Sequence, residues 1–209
     1  MSRHWLSDLH CNQFGRLLGY REMPTALTHA FVAFAAGKAC FRRPMPLRFW
    51  LLSVGCSAAP DLDVGLHAYG VEYEDLWGHR GMTHSVLFAF VLSVVLVSLA
   101  FRRHAPVLTR SWWALVAFFF AIIASHGLLD AFTDGGLGIA FFAPFSENRY
   151  FMPWRPLLVS HFGVGSLFTA YGMRVLLAEV VWVWLPVGAV VGCIIVLRSW
   201  LVRRHETPR

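Results

Sequence analysis

The chain alternates between long apolar segments and short polar ones. Five apolar segments end at charges, prolines or glycines, and they cover residues 25–41, 47–59, 85–101, 112–129 and 175–197. This pattern predicts five apolar helices joined by polar loops. A helix that spans a typical bilayer needs about 20 apolar residues. The shorter segments therefore cross a membrane only if they are slightly submerged or extended by their polar ends.

The composition indicates that this helical bundle is a membrane protein. Of the 209 residues, 57% are hydrophobic and 14% are charged, and the mean hydropathy is +0.55. A soluble domain has about 25% charged residues. We therefore predict an all-α polytopic membrane bundle of about five transmembrane helices. It divides into an N-terminal extension (1–22), expected to be mobile, a single membrane-embedded domain (23–200) and a basic cytoplasmic tail (201–209).

The charged residues are distributed unevenly between the two ends of the predicted helices. One end holds 11 of the 18 basic residues and a single acid, whereas the other end holds the remaining acids and eight of the ten histidines. Lys and Arg are retained on the cytoplasmic side of membranes. The basic end and the C-terminus are therefore expected in the cytoplasm, and the acidic end in the periplasm of a bacterial inner membrane. Because topology accounts for the positive charge, we expect no nucleic-acid partner.

Four separate blocks on the predicted periplasmic side carry candidate chemistry. They are Thr28-His29, Pro60-Asp61-Leu62-Asp63, the stretch from His79 to Ser85 with Thr83 as the predicted N-cap of the third helix, and the stretch from Ser125 to Asp134. His126 and Asp130 lie one turn apart, and if their helix continues, Thr133 and Asp134 share the same face. Ionisable side chains this close to hydrocarbon are costly and usually mark function.

These blocks, with Glu179 near the start of the last apolar segment, provide a set of predicted metal ligands. The set is His29, Asp61, Asp63, His84, His126, Asp130 and Glu179. For Glu179 an ion pair with Arg174 is the equal alternative. Histidine and carboxylate ligands without thiolate suit zinc first, with manganese and iron as alternatives, better than calcium or magnesium. One ion or more than one fits this number of ligands.

The remaining polar residues of the blocks receive catalytic roles. His79 is the candidate general acid or base, and Arg80 and Arg149 are candidate clamps for an anion. Asp134 is an outer ligand or orients a histidine. His161 lies outside the four blocks and is expected to be structural. A bound divalent ion lowers the pKa of its water towards about 7 and polarises a phosphoryl or acyl oxygen, so the pattern favours hydrolysis.

The four blocks together resemble the YdjM-like family. The motifs that carry the resemblance are Thr28-His29-Ala30, Pro60-Asp61-Leu62-Asp63, His79-Arg80-Gly81-Met82-Thr83-His84-Ser85 and Ser125-His126 followed by Asp130 and Thr133. Members are described as inner-membrane-associated metal-dependent hydrolases and are also named for a link to LexA. The likeness runs from about Met23 to the last helix. A fainter similarity to zinc-dependent phospholipase C implies a phosphodiester or phospholipid headgroup as substrate.

The leading hypothesis is a membrane-bound metallohydrolase that cuts a lipid-linked ester, first of all a phosphoester of a membrane phospholipid, at the periplasmic face. An ion or small-solute transporter is one alternative, but it would place polar residues and broken helices at mid-membrane. A non-catalytic membrane adaptor with a structural metal is the other, and it would have a closed coordination sphere. The LexA label adds no mechanism, because the sequence contains no element that reads DNA.

Overall fold

The computed structural model describes residues 25–159 and 168–206. Within these ranges the regular structure is helical, and the only β-type pairing is two isolated bridges. The helices are α1 (Ala26–Cys40), α2 (Leu47–Ala58), α3 (Val86–Ala100), α4 (Arg110–Ala131), α5 (Ala170–Glu179) and α6 (Leu185–Glu206). The predicted extension over residues 1–22 and His161 lie outside the described ranges.

Among the described residues, two helical stretches are long and apolar enough to cross a bilayer. They are α4 and the continuous helical stretch Ala170–Arg203, in which the π-helical turn Val180–Trp184 joins α5 to α6. The other apolar helices, α1, α2 and α3, have 12 to 15 residues. At 1.5 Å per residue they are about 18 to 23 Å long, which is shorter than a hydrocarbon core of about 30 Å. The all-helical, apolar architecture is confirmed, and the count of five spans stays a prediction.

Helix α4 lies at the centre of the bundle, as the burial of one of its faces along the whole length of the helix shows. Phe119 and Ile122 on this face are almost fully buried and belong to the hydrophobic core. The ring of Phe119 contacts that of Phe49 in α2, with 5.8 Å between the ring centroids. His126 and Asp130 continue the same face at helical spacing. The core packing of α4 therefore fixes the direction in which its two polar residues point.

The C-terminal end of α4 differs from the prediction. The helix ends at Ala131, so Thr133 and Asp134 do not share the helical face of His126 and Asp130. The hydroxyl of Thr133 donates to the carbonyl of Asp130 and closes the last turn. Beyond it, the backbone N–H of Asp134 donates to the carbonyl of Leu157. These bonds turn the chain away from the helix axis.

The N-cap of α3 is Ser85, and the prediction of Thr83 as the cap is wrong. The Ser85 hydroxyl accepts a hydrogen bond from the backbone N–H of Phe88 at 3.0 Å, as an N-cap does. Thr83 lies in the short 3-10 turn Met82–His84 that precedes the helix. Its hydroxyl donates instead to Asp63 at 2.5 Å. Thr83 is thereby released from capping and becomes part of the polar cluster at this end of the bundle.

Candidate metal centre

Separate segments bring five of the predicted ligands to one end of the bundle. His29 lies in the first turn of α1, and Asp61 lies in the 3-10 segment Pro60–Tyr69 that follows α2. His84 ends the 3-10 turn before α3, while His126 and Asp130 lie in the last turns of α4. All of them are buried except Asp61, whose side chain is 16% exposed. The centre is thus assembled from helix ends and the turns beside them.

Four of these residues form a compact set that we call the four-ligand group: Asp61, His84, His126 and Asp130. Each offers one ligand atom, and the four atoms lie within 4.8 Å of one another. Asp61 Oδ1 is 3.0 Å from His126 Nε2 and 3.5 Å from His84 Nε2. Asp130 Oδ2 is 3.6 Å from His84 Nε2 and 3.8 Å from His126 Nε2. Ligands bound at about 2.0–2.1 Å to a tetrahedral ion lie about 3.3 Å apart, so this spacing fits one transition-metal ion.

The Nδ1 hydrogen bonds of the two histidines direct their Nε2 atoms towards the carboxylates of the four-ligand group, and His126 Nε2 bonds to Asp61 Oδ1 at 3.0 Å. His126 Nδ1 lies 2.7 Å from the carbonyl oxygen of Ser57, which can only accept, so Nδ1 carries the proton. His84 Nδ1 lies 3.0 Å from Thr83 Oγ1 and 3.3 Å from Asp63 Oδ2. An acceptor on Nδ1 fixes the tautomer in which Nε2 presents a lone pair. Both rings therefore bind an ion through Nε2 once the ion displaces the Nε2 proton.

Several buried polar atoms of the centre lack a hydrogen-bond partner within the described residues. They include His84 Nε2, both ring nitrogens of His29 and both carboxylate oxygens of Asp130. Each buried polar atom without a partner costs about 1–3 kcal/mol, and charged atoms cost more. Native proteins have few such atoms, so a concentration of them at one point is typical of an ion-binding site.

His29 lies beside the four-ligand group. Its ring stacks on that of His126, with 3.9 Å between the ring centroids and 20° between the planes. Its Nε2 is 3.5 Å from Asp130 Oδ1, the carboxylate oxygen that faces away from the other two histidines. This position suits two roles for His29: it orients the Asp130 carboxylate, or it is itself a further ligand of the ion.

A second group consists of Asp63, His79 and His84, and we call it the Asp63 group. Asp63 Oδ1 lies 2.8 Å from His79 Nδ1, and the ligand atoms of the three residues again lie within 4.8 Å of one another. Because Asp63 already accepts from Thr83 and holds Nδ1 of both histidines, its geometry favours orientation of the rings over direct metal binding. His79 Nε2 is buried without a hydrogen-bond partner among the described residues.

Electrostatic interactions in the turns favour ionised carboxylates. Burial alone would raise the pKa of Asp63, but hydrogen bonds with His79 and His84 outweigh it and lower that pKa to about 2. The pKa of Asp61 is also lowered, because the charge and hydrogen bond of His126 outweigh the effect of burial. Burial lowers the pKa of His84, yet its carboxylate partners raise that pKa well above 6.5. A metal ion that binds here displaces the proton of His84 and takes over its charge beside the carboxylates.

Arg80 is fully buried and contacts the centre through its whole guanidinium. Its Nε is 3.5 Å from Asp130 Oδ2, while Nη1 donates to the carbonyl of Gly135 at 2.7 Å and Nη2 to Thr133 Oγ1 at 3.2 Å. Its backbone has a φ of 66°, in the left-handed region that costs a non-glycine residue about 1 kcal/mol or more. These contacts tie Arg80 to the protein, and its predicted role as an anion clamp stays a prediction.

Arg149 has an equally complete set of protein partners. Its guanidinium donates to four backbone carbonyls, those of Tyr73, Glu74, Asp75 and His79. This guanidinium therefore holds together the loop that leads into the His79–Ser85 block. The role of Arg149 as a clamp for an anion stays a prediction.

Asp134 and Glu179 lie outside both groups. Asp134 is exposed, and its Oδ1 accepts from the backbone N–H of Val159. Glu179 is fully buried, and its carboxylate accepts from the backbone N–H of Thr25 at 2.6 Å and from the hydroxyls of Thr25 and Thr28 at 2.5 and 2.7 Å. Arg174, the predicted alternative partner of Glu179, is exposed. Glu179 thus fixes the start of α1, directly before His29.

Two contributors to the centre were not predicted. They are the carbonyl of Ser57, which orients His126, and the hydroxyl of Thr83, which bridges Asp63 and His84. A backbone carbonyl partner cannot be recognised from the sequence. Thr83 could have been recognised, because a threonine directly before a candidate ligand histidine can bond to that ring as well as cap a helix.

Comparisons with known proteins agree with the motifs. A family model described as YdjM inner membrane protein matches residues 23–201. The inner membrane protein YbcI of Escherichia coli (strain K12) is 36% identical over 182 residues, which cover 87% of this chain and 100% of that protein. No solved structure matches the chain.

Proposed function

Because the chain belongs to the YdjM family of inner membrane proteins, we propose that it is a metal-dependent hydrolase of a lipid-linked ester. The leading substrate class is the phosphoester of a membrane phospholipid. The observation that carries this proposal is the four-ligand group, in which two imidazole nitrogens and two carboxylates converge at ion-binding distances. A divalent ion held there supplies water of lowered pKa and polarises a phosphoryl oxygen.

The chain's own residues divide the remaining work. Asp61, the only member of the four-ligand group with solvent exposure, lies at the side from which a substrate enters. His79 is held by Asp63 through Nδ1, so its Nε2 is the atom that gives or takes a proton. This carboxylate-imidazole arrangement is common to general acids and bases in hydrolases. Thr83 and Ser57 keep the imidazoles of His84 and His126 in their productive tautomer.

Exposed apolar side chains near the centre support a lipid substrate. In the loops at this end of the bundle, Leu62, Tyr69, Trp77 and Phe145 are each more than half exposed. Tyr and Trp are enriched where proteins meet the interfacial region of a bilayer. A headgroup attached to a bilayer therefore lies within reach of the turns that carry Asp61 and His84.

A structural metal site in a non-catalytic membrane protein is the second candidate. One observation favours it: four protein ligands already complete a tetrahedral sphere, whereas a catalytic zinc keeps an open position. The exposure of Asp61 favours the enzyme, because a ligand from a solvent-facing turn can move aside. The two candidates differ in whether the metal-loaded protein turns over a lipid.

A turnover assay on reconstituted protein distinguishes them. We expect the wild-type protein in vesicles of total bacterial lipid to release a phosphorylated headgroup or a diglyceride, detected by mass spectrometry. His79→Gln is expected to lower this turnover by about 10²- to 10⁴-fold, the usual contribution of a general acid or base, with unchanged metal content. The matched control is Ser125→Ala, which should keep full turnover because, among the described residues, the Ser125 hydroxyl bonds to the carbonyl of Ile122 alone. A metal-loaded wild-type protein that leaves every lipid intact would favour the structural site.

We also propose that the centre faces the periplasm. The ligand end and the basic end lie on opposite sides of the bundle: His29 opens α1 and Lys38 closes it, while Arg110 opens α4 and Asp130 closes it. Basic helix ends are retained in the cytoplasm. A green fluorescent protein fused to the C-terminus is expected to fluoresce, and an alkaline phosphatase fused there to be inactive. The reverse pattern of the two reporters would place the centre on the cytoplasmic side.

A further inference from the structure

A cavity of about 810 Å³ lies at the end of the bundle opposite to the metal centre. It is formed where α1 gives way to α2 and where the last turns of α6 pass beside them. Lys38, which lines it, stands nine residues after His29 on α1, which is about 13 Å along the helix axis. The cavity and the metal centre are therefore separate sites that share one helix.

Five of the lining residues are basic and come from two distant parts of the chain. They are Lys38, Arg42, Arg43, Arg198 and Arg203. Among the lining residues that the structure describes, none is acidic. Retention of basic residues on the cytoplasmic side explains their presence at this end. It does not explain why cations about 160 positions apart in sequence converge on one cavity, where their mutual repulsion opposes folding.

The walls of the cavity are held in place by specific contacts. Arg198 Nη1 donates to the carbonyl of Ala39, in the last turn of α1, and so fixes α6 against α1. The ammonium of Lys38 lies 5.1 Å from the centroid of the Trp50 ring. Gly37 makes room for this ring, because a Cβ at that position would lie 2.6 Å from it. The cations are thus presented by a built cavity rather than by loose side chains on a surface.

Apart from Ser199, the rest of the lining is apolar. Phe41, Met45 and Trp50 form the wall on one side, and Ile195 and Val202 form the wall on α6. Ile195, Arg198 and Val202 follow helical spacing, so the apolar and basic side chains alternate on one face of α6. The neighbouring positions Val196 and Leu197 are exposed apolar residues of the same helix. The cavity therefore opens towards the surface that hydrocarbon covers if α6 spans the membrane.

We propose that this cavity binds the phosphodiester headgroup of an anionic phospholipid, with the first part of its acyl chains against the apolar wall. Basic pockets between membrane helices on the cytoplasmic side are suited to such headgroups. The basic lining residues provide the charge, and the guanidinium groups provide paired donors for phosphate oxygens. A soluble phosphate compound would use the cations alone, whereas a lipid uses the apolar wall as well. The site is independent of the hydrolase proposal.

Native mass spectrometry in nanodiscs tests the proposal. Wild-type protein released from nanodiscs of phosphatidylglycerol and phosphatidylcholine is expected to retain one phosphatidylglycerol in preference to phosphatidylcholine. The double variant Arg42→Gln/Arg43→Gln should weaken this retention by about 10- to 30-fold, since each basic residue near the surface contributes about 1 kcal/mol. The unfolding temperature of the variant in detergent should equal that of the wild type, which shows that the bundle still folds.

The matched control is Arg102→Gln/Arg103→Gln, which removes the same charge from exposed positions after α3 that do not line the cavity. It should retain phosphatidylglycerol as the wild type does. Equal retention of the two lipids by the wild type would overturn the proposal, and so would equal loss in both double variants. Displacement of the lipid by glycerol phosphate at equal concentration would show that the cavity recognises phosphate and not a lipid.

Discussion

Purified His126→Ala protein should retain less than a tenth of the metal that the wild-type protein holds. His126 is fully buried, its Nε2 lies 3.0 Å from Asp61 Oδ1, and Ser57 fixes its ring. Loss of a residue that only orients a ligand costs about 10- to 100-fold in metal affinity. Loss of the ligand itself should lower the metal affinity by at least that factor, because no other described side chain takes the place of the His126 imidazole. Elemental analysis of protein purified without added metal measures the content.

Three further variants test which residues bind the metal directly. Asp130→Ala should lose metal as His126→Ala does, since it removes the ligand one turn away on the same face of α4. Asp63→Asn should bind metal about 10- to 100-fold more weakly without losing it, because Asp63 acts on the centre through His84. Ser125→Ala should keep the wild-type content. A wild-type protein without stoichiometric transition metal would contradict the centre, as would full metal content in both His126→Ala and Asp130→Ala.

The helices of the bundle could be predicted from local sequence because their signals are local. The apolar run 112–129 predicts a helix that the structure places at Arg110–Ala131, and the spacing of His126 and Asp130 correctly predicts one shared face. The condition under which Thr133 and Asp134 would share that face is not met, because the hydroxyl of Thr133 closes the last turn. Hydrophobic periodicity contains no information about where such a side chain stops a helix.

The long-range contacts of the centre could not be predicted in the same way. That Glu179 accepts hydrogen bonds from Thr25 and Thr28 depends on how α5 lies against α1, more than 150 residues away in sequence. The sequence identified Glu179 as a costly buried acid but gave no means to choose hydroxyl donors over an arginine or a metal. The role of Arg149 could not be predicted for the same reason. The sequence does not distinguish a guanidinium that donates to backbone carbonyls, as Arg149 does, from one that binds an anion.

The Asp63 group shows why a motif does not reveal the role of each residue in it. Asp61 and Asp63 are separated by a single residue in a 3-10 segment, where successive side chains point in different directions. Asp61 consequently reaches His126, whereas Asp63 reaches Thr83 and His79. Two carboxylates that the sequence treats as equal ligands thus take different positions, one in the four-ligand group and one behind it.

Arg80→Met should lower the free energy of unfolding by about 3–5 kcal/mol, the cost of leaving one partner of a buried ion pair without the other. Arg80 and Asp130 are both fully buried, and the guanidinium also serves Thr133 and the carbonyl of Gly135. Methionine fills much of the volume but supplies no donor. Thermal unfolding in detergent with a chelator present is the measurement, because a bound metal ion would otherwise replace the charge that Arg80 supplies to Asp130.

The matched control is Arg102→Met, which removes the same charge at an exposed position and should change stability by less than about 0.5 kcal/mol. Arg80→Lys should recover only part of the loss, because an ammonium cannot reproduce the fork that reaches Asp130, Thr133 and Gly135 together. Measuring both the stability and the turnover of Arg80→Met separates the two roles of Arg80. If Arg80→Met unfolds like the wild type yet loses turnover, Arg80 serves mainly as a clamp for an anionic substrate. A large loss of stability in chelator makes it the internal counter-ion that keeps Asp130 charged and in place for a metal.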